Sequence, residues 1–254
     1  SSAGYESTKT GFSFGTSYLQ FEDITFTPSL SVFHEKLSTT TGASKNIRKQ
    51  DGTYFENKFL YSFDYDTRNQ RYKTTSGKRS VFSQGIPLIS EEYALMNAYE
   101  LTGWHKLGNG MITNLSFYAK MINSIQDKDV RLSDRLNIPR KKLRGFEYGA
   151  VGPKDGSEFI GGNYLSTVNF NSTLPMIFPS MEEIDFKYFL DIGNLWGIDY
   201  SSSLNESNVI RASTGVSADW YTPIGPLSFS FSQELQKAKT DKTESIQFNL
   251  GTTF

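Results

Sequence analysis

The chain contains 254 residues and no cysteine, and its net charge is −1. The near-neutral charge creates no overall field that would attract nucleic acid, and the absence of cysteine excludes disulfides and thiol chemistry. Hydrophobic residues make up 37% of the chain and aromatic residues 15%. The chain therefore has few aliphatic side chains with which to build a thick core, but many aromatic rings that the fold must accommodate. The longest apolar runs are far shorter than the ~20 residues that a membrane-spanning helix needs.

Apolar and polar residues alternate with a period of two along most of the chain, which predicts β-strands. The clearest example runs from residue 184 to 193, where Phe186 and Tyr188 share one face while Asp185 and Asp191 share the other. We predict eleven strands, at residues 4–18, 23–35, 54–65, 78–88, 91–106, 111–123, 163–174, 181–194, 209–221, 226–236 and 243–254. Most have the ~9–11 residues of tilted membrane strands and exceed the roughly five or six typical of soluble proteins.

The predicted connections alternate in length. Residues 19–22, 107–110, 175–180 and 222–225 form tight connections, whereas 36–53, 124–162 and 195–208 are long and polar. The connections at 66–77 and 89–90 depart from this alternation. Long strands joined in this way predict an all-β fold, a transmembrane antiparallel β-barrel, with aromatic girdles where its surface meets water. The aromatic residues near strand ends are Tyr18, Phe21, Trp104, Trp196, Trp220, Tyr221 and Phe254.

A soluble β-sandwich or a lipocalin-like barrel is the alternative fold, because it shows the same alternation without alternating loop lengths. In the membrane barrel, the apolar face should meet lipid and the polar face the lumen. We therefore expect Phe186, Tyr188 and Leu190 to face lipid. Asp185, Lys187 and Asp191 should face the interior.

The connection at 124–162 is markedly basic and rich in glycine. A loop of this length in a compact fold is usually functional or disordered. Its cationic residues are Arg131, Arg135, Arg140, Lys141, Lys142 and Arg144.

Four motifs in this order resemble the BamA-like superfamily of outer-membrane assembly factors and two-partner secretion translocators. The first is Leu143-Arg144-Gly145-Phe146 in the long connection. The others are Phe189 to Trp196, the block from Ser213 to Leu227 with its Pro223-Ile224-Gly225-Pro226 turn, and the final strand ending at Phe254. Asp66-Thr67-Arg68 with Gly77 also fits the family, although Thr74 stands where the family often has proline.

The resemblance implies a loop folded into the barrel lumen, with Leu143, Arg144, Gly145 and Phe146 as its motif. Asn169 stands where some members have a lumen-facing glutamate, which leaves Asp191 as the stronger acidic partner for Arg144. The last strand, from Thr243 to Phe254, would then form the barrel seam. Gly251 could kink this strand, and both Gly251 and Phe254 are expected to tune how readily it releases.

The resemblance also implies that residues 1–254 are the C-terminal portion of a sixteen-stranded barrel, without its first strands and its POTRA repeats. The expected location is the bacterial outer membrane. The expected function is to fold and insert β-barrel proteins, with nascent outer-membrane proteins, accessory assembly lipoproteins and the lipid bilayer as partners and no nucleic acid. A two-partner secretion translocator and a passive porin-like channel are the alternatives.

Enzymatic chemistry has little support in the sequence. His34 and His105 are too few and too far apart to predict a metal site or a catalytic base. The carboxylates of Glu91-Glu92 and of Glu182-Glu183 are neighbours on strands, so each pair points to opposite faces. We therefore expect neither an enzyme, nor a cofactor, nor a metal.

Overall fold

The computed structural model describes residues 4–126, 128–174, 183–199, 208–222 and 225–250. Long strands dominate this part of the chain. They are β1 (Tyr5–Gly15), β2 (Tyr18–Phe21), β3 (Ile24–Thr39), β4 (Gly52–Asp66), β5 (Gly77–Ser90), β6 (Ala94–Lys106), β7 (Ile112–Ser124), β8 (Lys154–Asp155), β9 (Glu158–Phe159), β10 (Tyr164–Thr173), β11 (Ile184–Trp196), β12 (Arg211–Thr222), β13 (Gly225–Gln236) and β14 (Ile246–Leu250).

Eleven of these strands form one antiparallel sheet in the order β1-β3-β4-β5-β6-β7-β10-β11-β12-β13-β14. Each strand pairs with the next long strand along the chain, so the topology is a simple meander. The prediction of an all-β antiparallel barrel wall is confirmed. No helix in the described ranges is long and apolar enough to cross a membrane.

The two faces of the sheet differ as the alternation predicts. On β11, Phe189 and Asp191 are fully buried, whereas Tyr188, the residue just before Phe189, is 42% exposed. The side chains that share the face of Tyr188 form an exposed apolar surface on the outside of the sheet, which is the surface that the sequence predicts to face lipid. Examples are Phe12, Phe14, Leu101, Leu115, Phe117, Val168, Val216, Phe229, Phe231 and Phe248.

The first predicted strand and the tight connection at 19–22 are wrong in detail. The chain forms β1, breaks at residues 16–17, and continues as the short strand β2, which also pairs with β3. Pro28 of β3 explains the break, because Thr16 donates to its carbonyl at 3.1 Å but proline has no N–H to return a hydrogen bond. The turn between β2 and β3 lies at Asp23, whose φ is 63°.

The connection predicted at 36–53 is shorter than expected, because β3 continues to Thr39 and β4 begins at Gly52. It contains one short helix, α1 (Lys45–Arg48). The Ser44 hydroxyl caps this helix by accepting a hydrogen bond from the Ile47 N–H at 3.2 Å.

The last predicted strand, 243–254, is also revised. Within the described residues β14 begins at Ile246, and Thr243 instead pairs with Phe146 of the long connection in an isolated antiparallel bridge. Gly251 and Phe254 lie outside the described residues, as do residues 175–182 of another predicted connection and strand start.

The buried apolar side chains lie between the concave face of the sheet and the long connection that follows β7. One cluster joins the connection to the late strands and another joins it to β3 and α1. The first consists of Ala94, Ile122, Val130, Leu136, Ile138, Leu143, Phe146, Val151, Leu165 and Leu195. The second consists of Leu37, Ala43, Ile47, Leu132 and Ile160. The sheet therefore curves around a folded loop, as the prediction of a loop inside the lumen requires.

Candidate functional site

Within the described residues, the long connection between β7 and β10 folds against the inner, concave face of the sheet. It contains two 3₁₀ turns, Leu132–Asp134 and Arg140–Lys142, and the hairpin of β8 and β9. Leu136 and Gly162 exchange backbone hydrogen bonds at 2.8 and 3.0 Å, which closes the base of the loop beside β10. We call residues 125–163 the lumen loop.

Arg144 of the lumen loop binds the wall at Asp191 of β11. The Asp191 carboxylate accepts from the Arg144 backbone N–H at 3.0 Å, from Nε at 2.7 Å and from Nη2 at 2.7 Å. Asn169 of β10 donates to the same carboxylate at 2.8 Å and to the Lys142 carbonyl at 2.7 Å. Asn171 accepts from Arg144 Nη2 at 2.8 Å. The planar guanidinium thus meets a carboxylate and an amide oxygen that the β10–β11 register places together.

The Arg144 guanidinium also lies over the ring of Phe189, with its central carbon 3.6 Å from the ring centroid. The side chain of Asp191 is fully buried and that of Arg144 is 12% exposed. A cation held between a carboxylate and an aromatic face, away from water, is bound more strongly than a surface pair. The pair therefore fixes the position of the Leu143-Arg144-Gly145-Phe146 motif relative to β11.

Gly145 lets the backbone come directly against the wall. Its φ is +87°, and a Cβ at this position would lie 3.0 Å from Cβ of Ser232 and 3.3 Å from Cβ of Ser213. The Ser213 hydroxyl donates a hydrogen bond to the Arg144 carbonyl. Both the positive φ and the close approach favour glycine here.

Phe146 begins a stretch that pairs with the segment leading into β14. Glu147 N–H donates to the Lys242 carbonyl, and Glu244 N–H donates to the Gly145 carbonyl, each at 3.0 Å. On β14 itself, buried Gln247 donates from Nε2 to the Phe146 carbonyl at 2.8 Å. The lumen loop therefore acts as the pairing partner of residues 242–244 just before the last described strand.

A second buried ion pair reinforces this contact. Arg211 of β12 donates from Nε to Asp241 at 2.9 Å and from Nη2 at 3.0 Å, and both side chains are fully buried. Asp241 also accepts from the backbone N–H of Ala238 at 2.7 Å and of Gly152 at 3.3 Å. One carboxylate thus joins the wall, the β13–β14 connection and the lumen loop.

The other end of the lumen loop binds the early strands through Arg131. Its guanidinium lies 2.5 Å from Glu56 of β4, 3.2 Å from Glu35 of β3 and 2.9 Å from Asp134 of the loop itself. It also lies over the ring of Tyr54, at 4.7 Å from the centroid. All three acids are nearly or fully buried, so this cluster is a second anchor on the opposite part of the sheet.

Asp134 connects the second anchor to two further cations. Lys9 of β1 lies 2.9 Å and Lys58 of β4 lies 3.5 Å from its carboxylate. Burial raises the pKa of Asp134, but the charges of Lys58, Arg131 and Lys9 outweigh it, so the pKa lies below its ordinary value. Asp134 is therefore anionic at neutral pH.

The Asp66-Thr67-Arg68 motif forms a local ion pair at the opposite end of the strands. Arg68 donates from Nε and Nη2 to the Asp66 carboxylate at 2.8 and 2.7 Å. A Cβ on Gly77, whose φ is +101°, would lie 2.3 Å from the Thr67 carbonyl oxygen. Trp104, expected in an outer girdle, instead lies on the inner face, 5.6 Å from Arg68.

The sequence predicted that the Leu143-Arg144-Gly145-Phe146 motif, Asp191 and Asn169 all lie in the lumen, and the structure brings them together. Asn171 was not identified from the sequence. Its position two residues after Asn169 places both side chains on the same face of the strand, so the alternation could have predicted its role. The partners of Arg131 and the Arg211–Asp241 pair were also missed. Among the described residues, no three His, Asp or Glu side chains are arranged to hold a metal ion.

Comparison with known proteins supports this interpretation of the fold. The Omp85 superfamily domain matches residues 1–254. The outer membrane protein assembly factor BamA of Neorickettsia risticii is 21% identical over 98% of this chain, which spans 34% of that protein. BamA of Neisseria meningitidis is 29% identical over 44% of this chain and 17% of its own length. A SAM50-like protein of Schizosaccharomyces pombe is 24% identical over 85% of this chain and 48% of its own length.

Solved structures show the same fold. BamA from Haemophilus ducreyi lacking POTRA domains 1–3 superposes with a TM-score of 0.83 at 20% identity, covering 96% of this chain and 54% of that one. CdiB from Acinetobacter baumannii gives 0.62 at 11% identity, covering 96% and 41%. The chain is thus part of a β-barrel of the bacterial outer membrane, and it spans about a third of the BamA relative that it matches over nearly its whole length. It belongs to the Omp85 superfamily.

Proposed function

We propose that the protein containing this chain folds β-barrel proteins and inserts them into the bacterial outer membrane. Its partners would be nascent outer-membrane proteins, accessory assembly lipoproteins and the bilayer. The names of the relatives, BamA and SAM50-like, support a barrel-assembly role at the level of the family. The role needs no bond-making chemistry, so we propose a binding and folding function rather than an enzyme.

The observation that carries the mechanism is the pairing of the lumen loop with residues 242–244. Among the described residues, β14 pairs with β13 over Ile246–Leu250 only, and the segment before it pairs partly with Gly145 and Glu147. A strand that leaves its neighbours exposes backbone groups that lipid cannot satisfy. An incoming strand can satisfy them by adding to the sheet edge.

In this mechanism the lumen loop sets how firmly the start of the last strand is held. Docking of Arg144 on Asp191 positions Gly145 and Phe146 against residues 242–244. Loosening this contact would free the start of β14 for exchange with a client strand. Gly251 and Phe254, which lie beyond the described residues, remain part of the proposal as the end of the same strand.

A secretion translocator of the same superfamily is the second candidate. The structural likeness to CdiB supports the shared fold and does not separate the two functions. A translocator must clear the lumen loop from the barrel to pass its substrate, whereas an assembly factor needs to open only the sheet edge. The number of POTRA repeats upstream would also separate them. A passive channel is less consistent with a lumen occupied by an ordered loop.

A reversible disulfide between the lumen loop and the segment that leads into the last strand tests this proposal. Phe146 and Thr243 face each other in an antiparallel bridge flanked by hydrogen bonds, a pairing that brings two Cα atoms about 4.5 Å apart and suits a disulfide. The chain has no native cysteine, so Phe146→Cys combined with Thr243→Cys introduces one defined bond. The full-length protein would be reconstituted in liposomes with an unfolded client barrel.

Oxidation should stop client folding and reduction should restore it. The matched control is each single cysteine variant, which should assemble clients equally under both conditions. Unchanged assembly by the oxidised double variant would contradict the proposed role of the last strand. Export of one unfolded substrate, with no folding of clients, would favour the translocator.

A further inference from the structure

Among the described residues, the outer face of the sheet contains an apolar hollow of about 320 Å³, which extends from Phe82 of β5 across β6, β7 and β10 to β11. Its floor is made by two small side chains, Ala119 and Ser166, which are direct partners in the β7–β10 register. Larger side chains surround them. The lining includes Tyr99, Met121, Tyr164 and Trp196.

The register explains the shape of the hollow. Tyr99 lies beside Ala119 in the β6–β7 pairing, while Met121 and Tyr164 pair in the next outward-facing row. The rings of Tyr164 and Trp196 stack at 5.8 Å, which makes a continuous wall on the side toward the lumen loop. Two small residues within a surface of large ones leave a recess rather than a bump.

One edge of this apolar recess carries a polar group. Asn97 lines the hollow, on the outward face of β6. Its Oδ1 accepts from Gln84 Nε2 at 2.5 Å, and Gln84 in turn accepts from the Tyr61 hydroxyl at 2.8 Å. Within the described part of the chain, these contacts leave the amide N–H groups of Asn97 available for an acceptor. In hydrocarbon such a donor is costly unless an acceptor meets it.

We propose that the hollow binds one acyl chain of a glycerophospholipid, whose ester carbonyl accepts a hydrogen bond from the Asn97 amide. The outer face lies against the bilayer, so lipid is what fills a recess there. The ester is the acceptor that a phospholipid carries at the upper end of its chain. A client strand would bind a sheet edge through its backbone and does not fit a recess in the middle of the face.

The polarity of the neighbouring side chains gives the orientation of the lipid. Beyond the hollow, toward the lumen loop, the Tyr164 hydroxyl donates to Asn123 Oδ1 at 2.7 Å. In the opposite direction the outward-facing residues are apolar, with Leu101, Phe117 and Val168 exposed. The ester would therefore lie at the loop end of the hollow, and the chain would extend toward the middle of the bilayer. This inference does not depend on the proposed assembly function.

The first test is lipid retention. The full-length protein would be released from nanodiscs of phosphatidylethanolamine, phosphatidylglycerol and lipopolysaccharide, and the mass of any lipid that it retains would be determined by native mass spectrometry. The wild-type protein should retain one phospholipid, and Ala119→Phe should lose it by filling the hollow. Ala218→Phe is the matched control, because Ala218 is also on the outward face, opposite Phe186 and Phe229, but outside the hollow.

The variant Asn97→Leu tests the proposed hydrogen bond by itself, because it removes the amide donor without filling the hollow. It should lower retention by about five- to tenfold, the effect of losing one net hydrogen bond. Equal retention by wild type, Ala119→Phe and Ala218→Phe would overturn the proposal. Retention of lipopolysaccharide in place of phospholipid would also overturn it, because the proposed occupant is a glycerophospholipid.

The second test does not depend on release from the membrane. Two variants would keep Trp196 or Trp220 as their only tryptophan, since both lie on the outer face but only Trp196 lines the hollow. In vesicles of phosphatidylcholine doped with a brominated-chain analogue, Trp196 emission should be quenched at a several-fold lower fraction of brominated lipid. The difference should disappear in Ala119→Phe. Identical quenching of the two tryptophans would refute a bound chain.

Discussion

The Asp191 carboxylate binds both the backbone and the side chain of Arg144, accepting from the Arg144 main-chain N–H at 3.0 Å and from its Nε at 2.7 Å. The carboxylate therefore fixes both the position of the loop and the direction of the guanidinium. Removing either partner leaves the other without its main interaction in a nearly dry site, which is why single substitutions should be costly.

Arg144→Ala and Asp191→Ala should each destabilise the docked loop by about 3–5 kcal/mol, the range for breaking a buried pair. The double variant should be little worse than either single one, because both act on one interaction. Urea unfolding of the full-length protein in vesicles would measure the three free energies. Arg144→Lys is the charge-preserving control, and it should recover only part of the loss since lysine lacks the planar fork. Simple additivity would show that the two residues act separately.

Gly145→Ala should weaken docking more than Gly149→Ala. Both glycines have a positive φ, +87° and +72°, so an alanine is strained at either position. A Cβ on Gly145 also meets Ser232 at 3.0 Å, whereas a Cβ on Gly149 meets nothing within 4 Å among the described residues. The difference in unfolding free energy between the two variants isolates the contact with the wall. Equal losses would mean that the wall yields to the added methyl group.

The anchor at Asp134 should fail in acid. Its pKa lies below the ordinary value of 3.8, so its contribution to stability is complete above about pH 3.8 and is lost as the pH falls below that value. Asp134→Asn should cost about 2–3 kcal/mol at neutral pH and much less at about pH 2. Melting temperatures of the two proteins between these pH values would check this. A constant difference across the range would exclude Asp134 as the titrating group.

Leu190→Arg should hamper membrane insertion by about 2–4 kcal/mol if Leu190 lies near the bilayer midplane. The reason is that Leu190 shares the lipid-facing side of β11 with Tyr188, while Asp191 next to it is buried inside. Leu190→Met is the matched control and should insert normally. Spin labels at Phe186 and Tyr188 should report lipid, and labels that report water would reverse the orientation of the wall.

The sequence predicted the wall well because alternation is a local signal. The alternation within residues 184–193 is enough to predict which side chains lie on each face of β11, without any information about the neighbouring strands. The break after β1 was harder, since it depends on Pro28 in the strand opposite Thr16. A missing N–H affects the partner strand, and the register that pairs the two cannot be obtained from alternation alone.

The lumen contacts show the same limit more strongly. Arg144 and Asp191 could be paired because a family motif and the face of Asp191 both pointed inward. Arg131 and Glu56 are separated by 75 residues, and the sequence carries no sign that these two meet. Asp241 lies in a connection, where alternation does not predict which way a side chain points. Its pairing with Arg211 could therefore not be predicted from the sequence.

The two anchors of the lumen loop have a consequence for the order of folding. Arg131 binds strands near one end of the sheet order, and Arg144 binds β11 near the other, although the two arginines are close in the chain. The loop can complete both contacts only after the distant strands have been brought to their final curvature, because each contact needs partners of large sequence separation. Its docking should thus be a late event, one that marks a wall whose curvature is already complete.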